Sequence, residues 1–343
     1  MKIAITDKQN GYENEWVNAC IKKGIEVKKV NPYQTDIINQ LSDCDAFMWH
    51  HSHGNYRDLL FAKQLLTAIE ESGKVVYPDY RTGWHFDDKV GEKYLFESLG
   101  LPCVPSFVFY DKNDALEWIN TTTFPKVFKL RGGAGSMNVI LVKNRRHAQK
   151  LIKRSFGSGF KAFRPSDYFK DRYNKWRHSN DSFVGVLKSL SRFIIKPAGS
   201  NLLPIQRGYA YFQEFMPGNN YDTRIVVIGG KYALAEKRYV REGDFRASGS
   251  GKFDYYDIDT DLVKVAFDAA KKINAQSIAF DFIYDKNHNG LIVEVSYCFG
   301  THGISYAPGF WDSNLNWYNA EDYKIDICGW MVDEIVEAIK SKC

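Results

Sequence analysis

The feature that most constrains the fold is a pair of acidic residues placed inside two short apolar segments near the C-terminus. Asp281 lies within residues 279–284 and Glu294 within residues 291–296, and Asn289-Gly290 separates the two segments. Alternating apolar segments joined by Asn-Gly are typical of an antiparallel hairpin. We therefore expect the two acids to lie on neighbouring strands.

Two acids in apolar strands need a physical explanation. A carboxylate is costly to bury unless it is paired or binds a metal, and two adjacent carboxylates repel each other. A divalent cation between them removes both difficulties, and Mg²⁺ bound with substrate phosphates commonly takes one or two carboxylates. The alternative is that both side chains face solvent on the polar side of their strands.

A second signal is Lys129, which ends an apolar segment and precedes the glycine-rich turn at residues 131–136. Glycines let backbone N–H groups approach phosphate oxygens, and a lysine adds a positive charge. The turn lacks the Gly-Lys-Ser/Thr ending of a P-loop. A simple hairpin tip is the alternative interpretation, but a lysine in an apolar strand indicates a charged partner.

Three arginines form the third signal. Arg224 and Arg238 lie on two predicted strands joined through Gly229-Gly230, and Arg246 lies in the polar, glycine-containing loop at residues 239–252. Arginines converging near a metal pair would clamp a phosphate and a developing anion. Taken singly, each could be an ordinary surface cation.

The order of predicted elements divides the chain into three parts. Residues 1–86 alternate strands and helices, which predicts a small parallel sheet with helices on both faces. Residues 87–207 form a second unit with the glycine-rich hairpin, and residues 208–343 form a third that contains the acidic hairpin.

Several segments, taken in order, carry a family resemblance. They are Asp88-Lys89 at a helix start, residues 212–215, 222–231 and 242–246, Asp281, and residues 294–296. Over about residues 87–303 the chain resembles the ATP-grasp superfamily, and within it the carboxylate–amine ligases of the ribosomal-protein glutamate ligase type. The resemblance implies a mixed α/β and α+β fold, with a small doubly wound N-terminal domain followed by two lobes that clamp ATP.

The resemblance also implies site residues, with ATP and two Mg²⁺ ions as cofactors. Lys89 and Lys129 would hold the phosphates while the glycines close over them, and residues 213–216 would contact adenine, largely through the backbone. The implied nucleotide set is Lys89, Lys129, Gly132, Gly133, Gly135, Gln213, Glu214, Phe215, Met216 and Asp222. The implied metal set is Asp281, Glu294 and Ser296, and the implied catalytic set is Arg238, Arg246 and Arg224.

Two positions depart from the family pattern. Ser296 stands where the family usually has an asparagine two residues after the metal-binding glutamate, and Ser248 stands near another usual asparagine. A serine hydroxyl still offers a neutral oxygen, but it reaches less far. The ligation of a second metal ion is therefore left open.

Residues 143–196 form a basic insertion. They contain fifteen Lys or Arg, three Asp and nine aromatic residues, a local excess of twelve positive charges in a chain whose net charge is +5. Such an excess would attract an anionic acceptor. An acidic polysaccharide or its lipid-linked precursor, a membrane surface and an oligomer contact stay open, whereas no recognised module favours nucleic acid. The segment 50–53 and residues 86–89 loosely resemble ATP-grasp proteins encoded with bacterial surface-polysaccharide enzymes.

Two smaller signals concern metals and location. Of His50, His51 and His53, only the last two would share a face of an extended chain, so acceptor contacts or a structural role are favoured over metal binding. Six cysteines without paired spacing, together with an N-terminal segment that reads as a strand, predict free thiols and a cytoplasmic protein.

The sequence thus predicts an ADP-forming ligase that makes an amide through an acyl phosphate. The expected reaction joins an amino acid or amine to the carboxylate of an acidic sugar. Ligation of amino acids to a peptide or protein tail is the first alternative. A nucleotide-binding protein without enzymatic activity, suggested by Ser296, is the second.

Overall fold

The computed structural model describes residues 1–8, 11–132, 138–161, 165, 169, 172–173, 176, 183–191, 202–241, 244–247 and 251–342. The first unit is a four-stranded parallel sheet in the order β2-β1-β3-β4, as the alternating pattern predicts. Its elements are β1 Lys2–Thr6, α1 Glu13–Lys22, β2 Glu26–Val30, α2 Ile37–Gln40, β3 Ala46–Met48, α3 Tyr56–Glu71, β4 Val75–Tyr77 and α4 Tyr80–Gly83.

The central unit is a four-stranded antiparallel sheet in the order β5-β8-β6-β7. Strand β8 lies beyond residue 207, where the sequence places the end of this unit, yet it pairs with both β5 and β6. The central sheet therefore extends to Glu214. Its elements are α5 Lys89–Ser98, β5 Ser106–Phe109, α6 Lys112–Thr121, β6 Lys126–Lys129, β7 Val139–Val142, α7 Arg145–Ser155, α8 Phe183–Leu190 and β8 Ala210–Glu214.

The third unit is a seven-stranded sheet in the order β13-β12-β9-β10-β14-β15, with β11 added beside β10. The predicted hairpins β9–β10 and β12–β13 are both present, whereas β14 and β15 were not predicted. The elements are β9 Tyr221–Ile228, β10 Tyr232–Tyr239, β11 Phe253–Asp254, α9 Thr260–Ile273, β12 Ser277–Tyr284, β13 Gly290–Ser296, α10 Thr301–Ile304, β14 Gly309–Asp312, β15 Trp317–Asn319 and α11 Ile327–Lys342.

Local capping residues explain where the helices begin and end. Asn55, Asp88 and Asp111 each accept a hydrogen bond from a backbone N–H of the first turn of α3, α5 and α6, which satisfies groups that a helix start leaves unpaired. Asn274 adopts a left-handed conformation with φ 57° and ends α9.

The hydrophobic cores do not follow the three sheets one by one. One core combines side chains of the N-terminal sheet and α1, such as Trp16 and Tyr77, with side chains of the C-terminal unit, such as Tyr297 and Met331. The central sheet has its own core around Phe128 and Phe212. Within the described part of the chain, no helix is both long and apolar enough to cross a bilayer.

Candidate active site

A cavity of about 420 Å³ lies between the central sheet and the C-terminal sheet. Apart from the three glycines, every site residue predicted from the sequence lines it. Those residues are Lys89, Lys129, Gln213, Glu214, Phe215, Met216, Asp222, Arg224, Arg238, Arg246, Asp281, Glu294 and Ser296. Gly132 packs beside Asp87, another lining residue, and Gly133 and Gly135 fall outside the described residues.

Lys89 is held at the start of α5 by the glycine-rich hairpin. Its backbone N–H donates to the Arg131 carbonyl at 2.9 Å, and Arg131 Nε donates to the capping residue Asp88 at 2.8 Å. The buried Lys89 ammonium lies 3.2 Å from Glu294 Oε1. Burial acts to lower the pKa of Lys89, but Glu294, Glu92 and Asp87 outweigh it, so the pKa is raised and the ammonium stays charged.

Lys129, at the end of β6, is a buried cation of a different kind. Its side chain is 5% exposed, and among the described residues its ammonium has no hydrogen-bond or ion-pair partner. Burial lowers the pKa of Lys129 to about 8, with Glu294 and Glu92 opposing this effect. A buried ammonium facing a cavity without a partner is suited to an anionic ligand such as a phosphate.

Four charged residues form a continuous row across four neighbouring strands of the C-terminal sheet. Glu236 on β10 is opposite Arg224 on β9, Arg224 is opposite Asp281 on β12, and Asp281 is opposite Glu294 on β13. Direct cross-strand neighbours share a face of the sheet, so the four side chains lie on one face.

Asp281 is more strongly paired than the sequence indicates. Its carboxylate accepts two hydrogen bonds from Arg224, at 2.8 and 3.0 Å, and lies 2.7 Å from the Arg238 guanidinium. Burial acts to raise the pKa of Asp281, but the two arginines hold it well below its usual range. Arg238 also donates twice to Asp222, at 2.7 and 2.6 Å. Both arginines thus bind carboxylates, and their action on a phosphate stays a prediction.

Arg246 lies in the loop between β10 and β11, where it pairs with Asp244 of the same loop at 2.6 Å. Phe245 packs edge-on against Phe215 at 5.9 Å between ring centroids, which connects this loop to the strand that was expected to contact adenine. Residues 242–243 and 248–250, which include Ser248, fall outside the described residues.

The side chains of the predicted adenine-binding strand are used within the protein. Gln213 Nε2 donates to Ser106 Oγ at 3.0 Å, and Glu214 pairs with Lys126 at 2.7 Å. A contact with a base at this strand would therefore come mainly from the backbone, as the sequence analysis expects. Ser296 Oγ accepts from the Cys298 N–H at 3.1 Å.

Two acidic residues of the site region, Glu92 and Glu236, were not predicted from the sequence. Glu92 is buried on α5, one turn after Lys89, and burial followed by the charge of Glu294 raises its pKa to about 8. Its position three residues after Lys89 puts it on the same helix face. Glu236 lies two residues before Arg238 in an apolar strand, and therefore on the same sheet face. These spacings were available in the sequence.

The histidines lie in packed aromatic surroundings. His50 stacks on Tyr12 at 4.0 Å and His51 packs against Tyr297 at 4.9 Å between ring centroids. Burial lowers the pKa of His50 to about 3. The described residues hold no group of three or more His, Cys, Asp or Glu that could bind a metal ion. Of His50, His51 and His53, the last lines the cavity.

The described part of the basic insertion presents an exposed cationic helix face on α7. Its exposed members are Arg145, Arg146, Lys150 and Lys153, and Lys143 is exposed just before the helix. Trp176 is 38% exposed and packs near Tyr173, with 5.7 Å between ring centroids. Lys175 and Arg177 lie outside the described residues.

The donor set of the cavity suits Mg·ATP. It combines an ammonium without a partner among the described residues, a second ammonium beside it, and carboxylates from neighbouring strands. Hard oxygen ligands and phosphates are what Mg²⁺ prefers. Asp281 and Glu294 face each other directly across β12 and β13, and Ser296 would add one neutral oxygen.

Comparison with known proteins agrees with this geometry. Residues 204–310 match the family described as the RimK-like ATP-grasp domain. No curated protein matches the sequence.

Among the five cysteines described, none forms a disulfide.

Solved structures resemble the chain over nearly its whole length. A RimK domain ATP-grasp protein from Sphaerobacter thermophilus superposes with a TM-score of 0.60 at 15% identity, covering 97% of this chain and 99% of that one. D-cycloserine synthetase DcsG gives a TM-score of 0.60 at 13% identity, covering 99% and 100%. The ATP-grasp ligase PsnB, complexed with its precursor peptide PsnA2 and AMPPNP, gives 0.54 at 13% identity, covering 99% and 98%. At these identities the similarity establishes the fold.

Proposed function

The chain has the ATP-grasp fold and contains a RimK-like ATP-grasp domain, and from this premise we propose that it is an ADP-forming ligase that joins a carboxylate to an amine. The reaction proceeds through an acyl phosphate, which the amine attacks to give an amide and inorganic phosphate.

The observation that carries this proposal is the buried Lys129 ammonium, which faces the same cavity as Lys89, Asp281 and Glu294. Mg·ATP, when bound, supplies the phosphoryl group that activates the carboxylate. The two lysines would hold the phosphates, and Asp281 with Glu294 would hold the magnesium. Arg238 and Arg246, with Arg224, stabilise the negative charge that develops on the acyl group.

The names of two similar structures bear on the substrate class. PsnB is complexed with a precursor peptide, and DcsG is named a D-cycloserine synthetase. We therefore give first place to amino-acid and peptide substrates. The exposed cations of α7 support an anionic acceptor, and acidic sugars, expected from the sequence, belong in the same screen. The cytoplasmic location expected from the cysteines is part of this proposal.

A screen for ADP release tests the function. The protein is incubated with Mg·ATP and pairs of carboxylates and amines, including acidic peptides and sugar acids. The expected result is ADP release that depends on the carboxylate, with a hydroxamate formed when hydroxylamine replaces the amine. Glu294→Gln is the control that should remove the signal. Tight ATP binding without ADP release on any pair would instead favour a nucleotide-binding protein without enzymatic activity.

A further inference from the structure

Glu236, at the end of the charged row, is a buried carboxylate that lacks a full set of partners. Its side chain is 3% exposed, and within the described part of the chain its Oε2 accepts no hydrogen bond. The cations that act on it, Arg224 and Arg238, are shared with other carboxylates, because Arg224 binds Asp281 and Arg238 binds Asp222 and Asp281. Unsatisfied buried polar atoms are uncommon in native proteins and call for an explanation.

The position of Glu236 relates it to the cavity. It is the direct neighbour of Arg224, which lines the cavity, and adjacent strands are about 4.8 Å apart. Along the row, Asp281 and Glu294 lie on the other side of Arg224. Glu236 therefore occupies the end of the row that lies away from the proposed metal pair, on the same face of the sheet.

The segment at residues 300–304 lies against Glu236. A Cβ atom at Gly303 would lie 2.5 Å from Glu236 Oε2, so a larger residue at position 303 would force the Glu236 carboxylate to shift. The Gly303 carbonyl accepts a hydrogen bond from Tyr255 at 2.8 Å. Gly300, three residues earlier, lines the cavity. The segment at residues 300–304 thus both contacts Glu236 and forms part of the cavity wall.

We propose that Glu236 binds the ammonium group of the incoming amine and accepts its proton. This inference rests on the proposed ligase function and identifies the amine as one that arrives as a cation. A buried carboxylate without a cation of its own is suited to an ammonium ligand, which restores the missing charge partner. The segment at residues 300–304 moves aside when the amine enters.

The step balances without any further reactant. The ammonium transfers one proton to the Glu236 carboxylate, which gives a neutral amine. The amine nitrogen forms a C–N bond to the acyl carbon as the bond from that carbon to the phosphate oxygen breaks. The leaving phosphate takes the second proton from nitrogen, and Glu236 returns its proton to solvent.

Glu236→Gln, an isosteric change, separates this role from others. Hydroxylamine is neutral at pH 7 and strongly nucleophilic, so it traps the acyl phosphate without an ammonium subsite. We expect amide formation to fall by about a hundredfold or more, the usual range for loss of a general base. Hydroxamate formation and the KM for ATP should stay within about twofold. Glu236→Asp keeps a carboxylate and should recover part of the amide activity.

Two further variants serve as controls. Glu334→Gln removes another, partly exposed carboxylate, whose buried Oε2 also lacks a partner among the described residues. Glu334 lies on α11, away from the row, so this change should leave both reactions unchanged. Gly303→Ala keeps Glu236 and crowds its carboxylate, so it should reduce amide formation selectively. This second route tests the proposal even if Glu236→Gln does not fold.

Three outcomes would overturn the inference. Normal amide formation by a folded Glu236→Gln would exclude the role. Parallel loss of amide and hydroxamate would show that Glu236 acts on the activation step through Arg224. Absence of both products from the wild-type protein would refute the ligase function itself and the Glu236 role with it. Hydroxamate formation by the wild type therefore separates a failure of the Glu236 role from a failure of the ligase function.

Discussion

Asp281 and Glu294 face each other directly across β12 and β13, yet their carboxylates are paired with different cations. Asp281 is bound by Arg224 and Arg238, whereas Glu294 lies against Lys89. The repulsion expected between the two acids is thus already offset by three cations. The two residues should consequently respond differently to mutation.

Neutralising these two acids should separate metal binding from fold stability. Asp281→Asn removes the partner of two largely buried arginines, and breaking a buried pair in this way costs about 3–5 kcal/mol. The Glu294 side chain is 36% exposed. Glu294→Gln should therefore change the free energy of unfolding far less than Asp281→Asn does. Both changes should reduce ADP release on the order of a thousandfold, because a magnesium ligand is lost.

Thermal unfolding and Mg²⁺ titrations of ADP release measure the two effects. Ser296→Asn, which adds a longer neutral ligand, is the companion variant: unchanged or higher activity would show that serine is a tolerated ligand. Near-normal rates in both acid variants would refute the metal assignment.

ATP affinity should fall as pH rises through about 8. Burial lowers the pKa of Lys129 to about 8, so the ammonium is present below that pH and is lost above it. The pKa of Glu92 is raised, also to about 8, so its negative charge appears over the same range and weakens phosphate binding further. ATP titrations between about pH 6.5 and about pH 9.5 measure the change.

Two variants assign the pH effect to its groups. Lys129→Arg keeps its charge throughout this range, so its ATP affinity should depend much less on pH. Glu92→Gln resembles the protonated glutamate that exists at pH 7, so activity there should be nearly normal. An ATP affinity that is independent of pH in the wild type would contradict the role of Lys129.

Arg246→Lys should damage catalysis more than nucleotide binding. Lysine keeps the charge but loses the planar, bidentate geometry that matches an acyl phosphate. We expect kcat to fall with little change in ATP affinity, since the interaction forms mainly as charge develops. Asp244→Asn, which alters the partner of Arg246 without removing the arginine, is the matched control. If ATP affinity falls in step with kcat, Arg246 belongs to the nucleotide site.

Replacing Arg145, Arg146 and Lys150 of α7 with glutamine should raise the KM for an anionic acceptor and leave the KM for ATP unchanged. The effect should shrink with added salt, because exposed charges are screened over about 8–10 Å near physiological ionic strength. These three positions are exposed, so the fold should be unaffected. If the acceptor KM changes neither with salt nor with the three substitutions, a membrane-surface or oligomer contact is favoured for the insertion.

Trp176 provides an independent test of the insertion. Its ring is 38% exposed, and if it stacks on a sugar ring, Trp176→Ala should weaken acceptor binding by an amount that salt does not change. The KM for a peptide acceptor without an aromatic or sugar group should not change in Trp176→Ala. Measuring the acceptor KM at two salt concentrations for both acceptor types distinguishes these cases.

Local signals in the sequence predicted residues that line one cavity. Acids within apolar strands, a lysine before a glycine-rich turn and helix caps are all readable within a few residues. They placed Asp281, Glu294 and Lys129 at one cavity because each has few acceptable environments once its strand is buried. The exact register did not follow from Asn289-Gly290, because Gly290 already pairs with Tyr284 inside the hairpin and a bulge between Asp281 and Phe282 sets Asp281 opposite Glu294.

Relationships between distant segments could not be read in the same way. Lys89 and Glu294 are 205 positions apart, and β8 joins the central sheet through pairing that no local pattern specifies. The pairing of Asp281 with Arg224 and Arg238 likewise depends on which strands become neighbours. Strands β14 and β15 are short and aromatic, without the alternation that marks a half-buried strand.

The core shared by the first and last parts of the chain bears on how the molecule moves. Trp16 Nε1 of α1 donates to Met331 Sδ of α11 at 3.4 Å, whereas the central sheet closes around a core of its own. We therefore expect two rigid bodies. The central sheet is one of them and rotates relative to the other, the base, which consists of the N-terminal and C-terminal units joined by their shared core. Lys129 would travel with the central sheet, while Glu236 and the charged row stay on the base. A compound that binds between the two bodies would lower the affinity for ATP and leave the amine subsite intact.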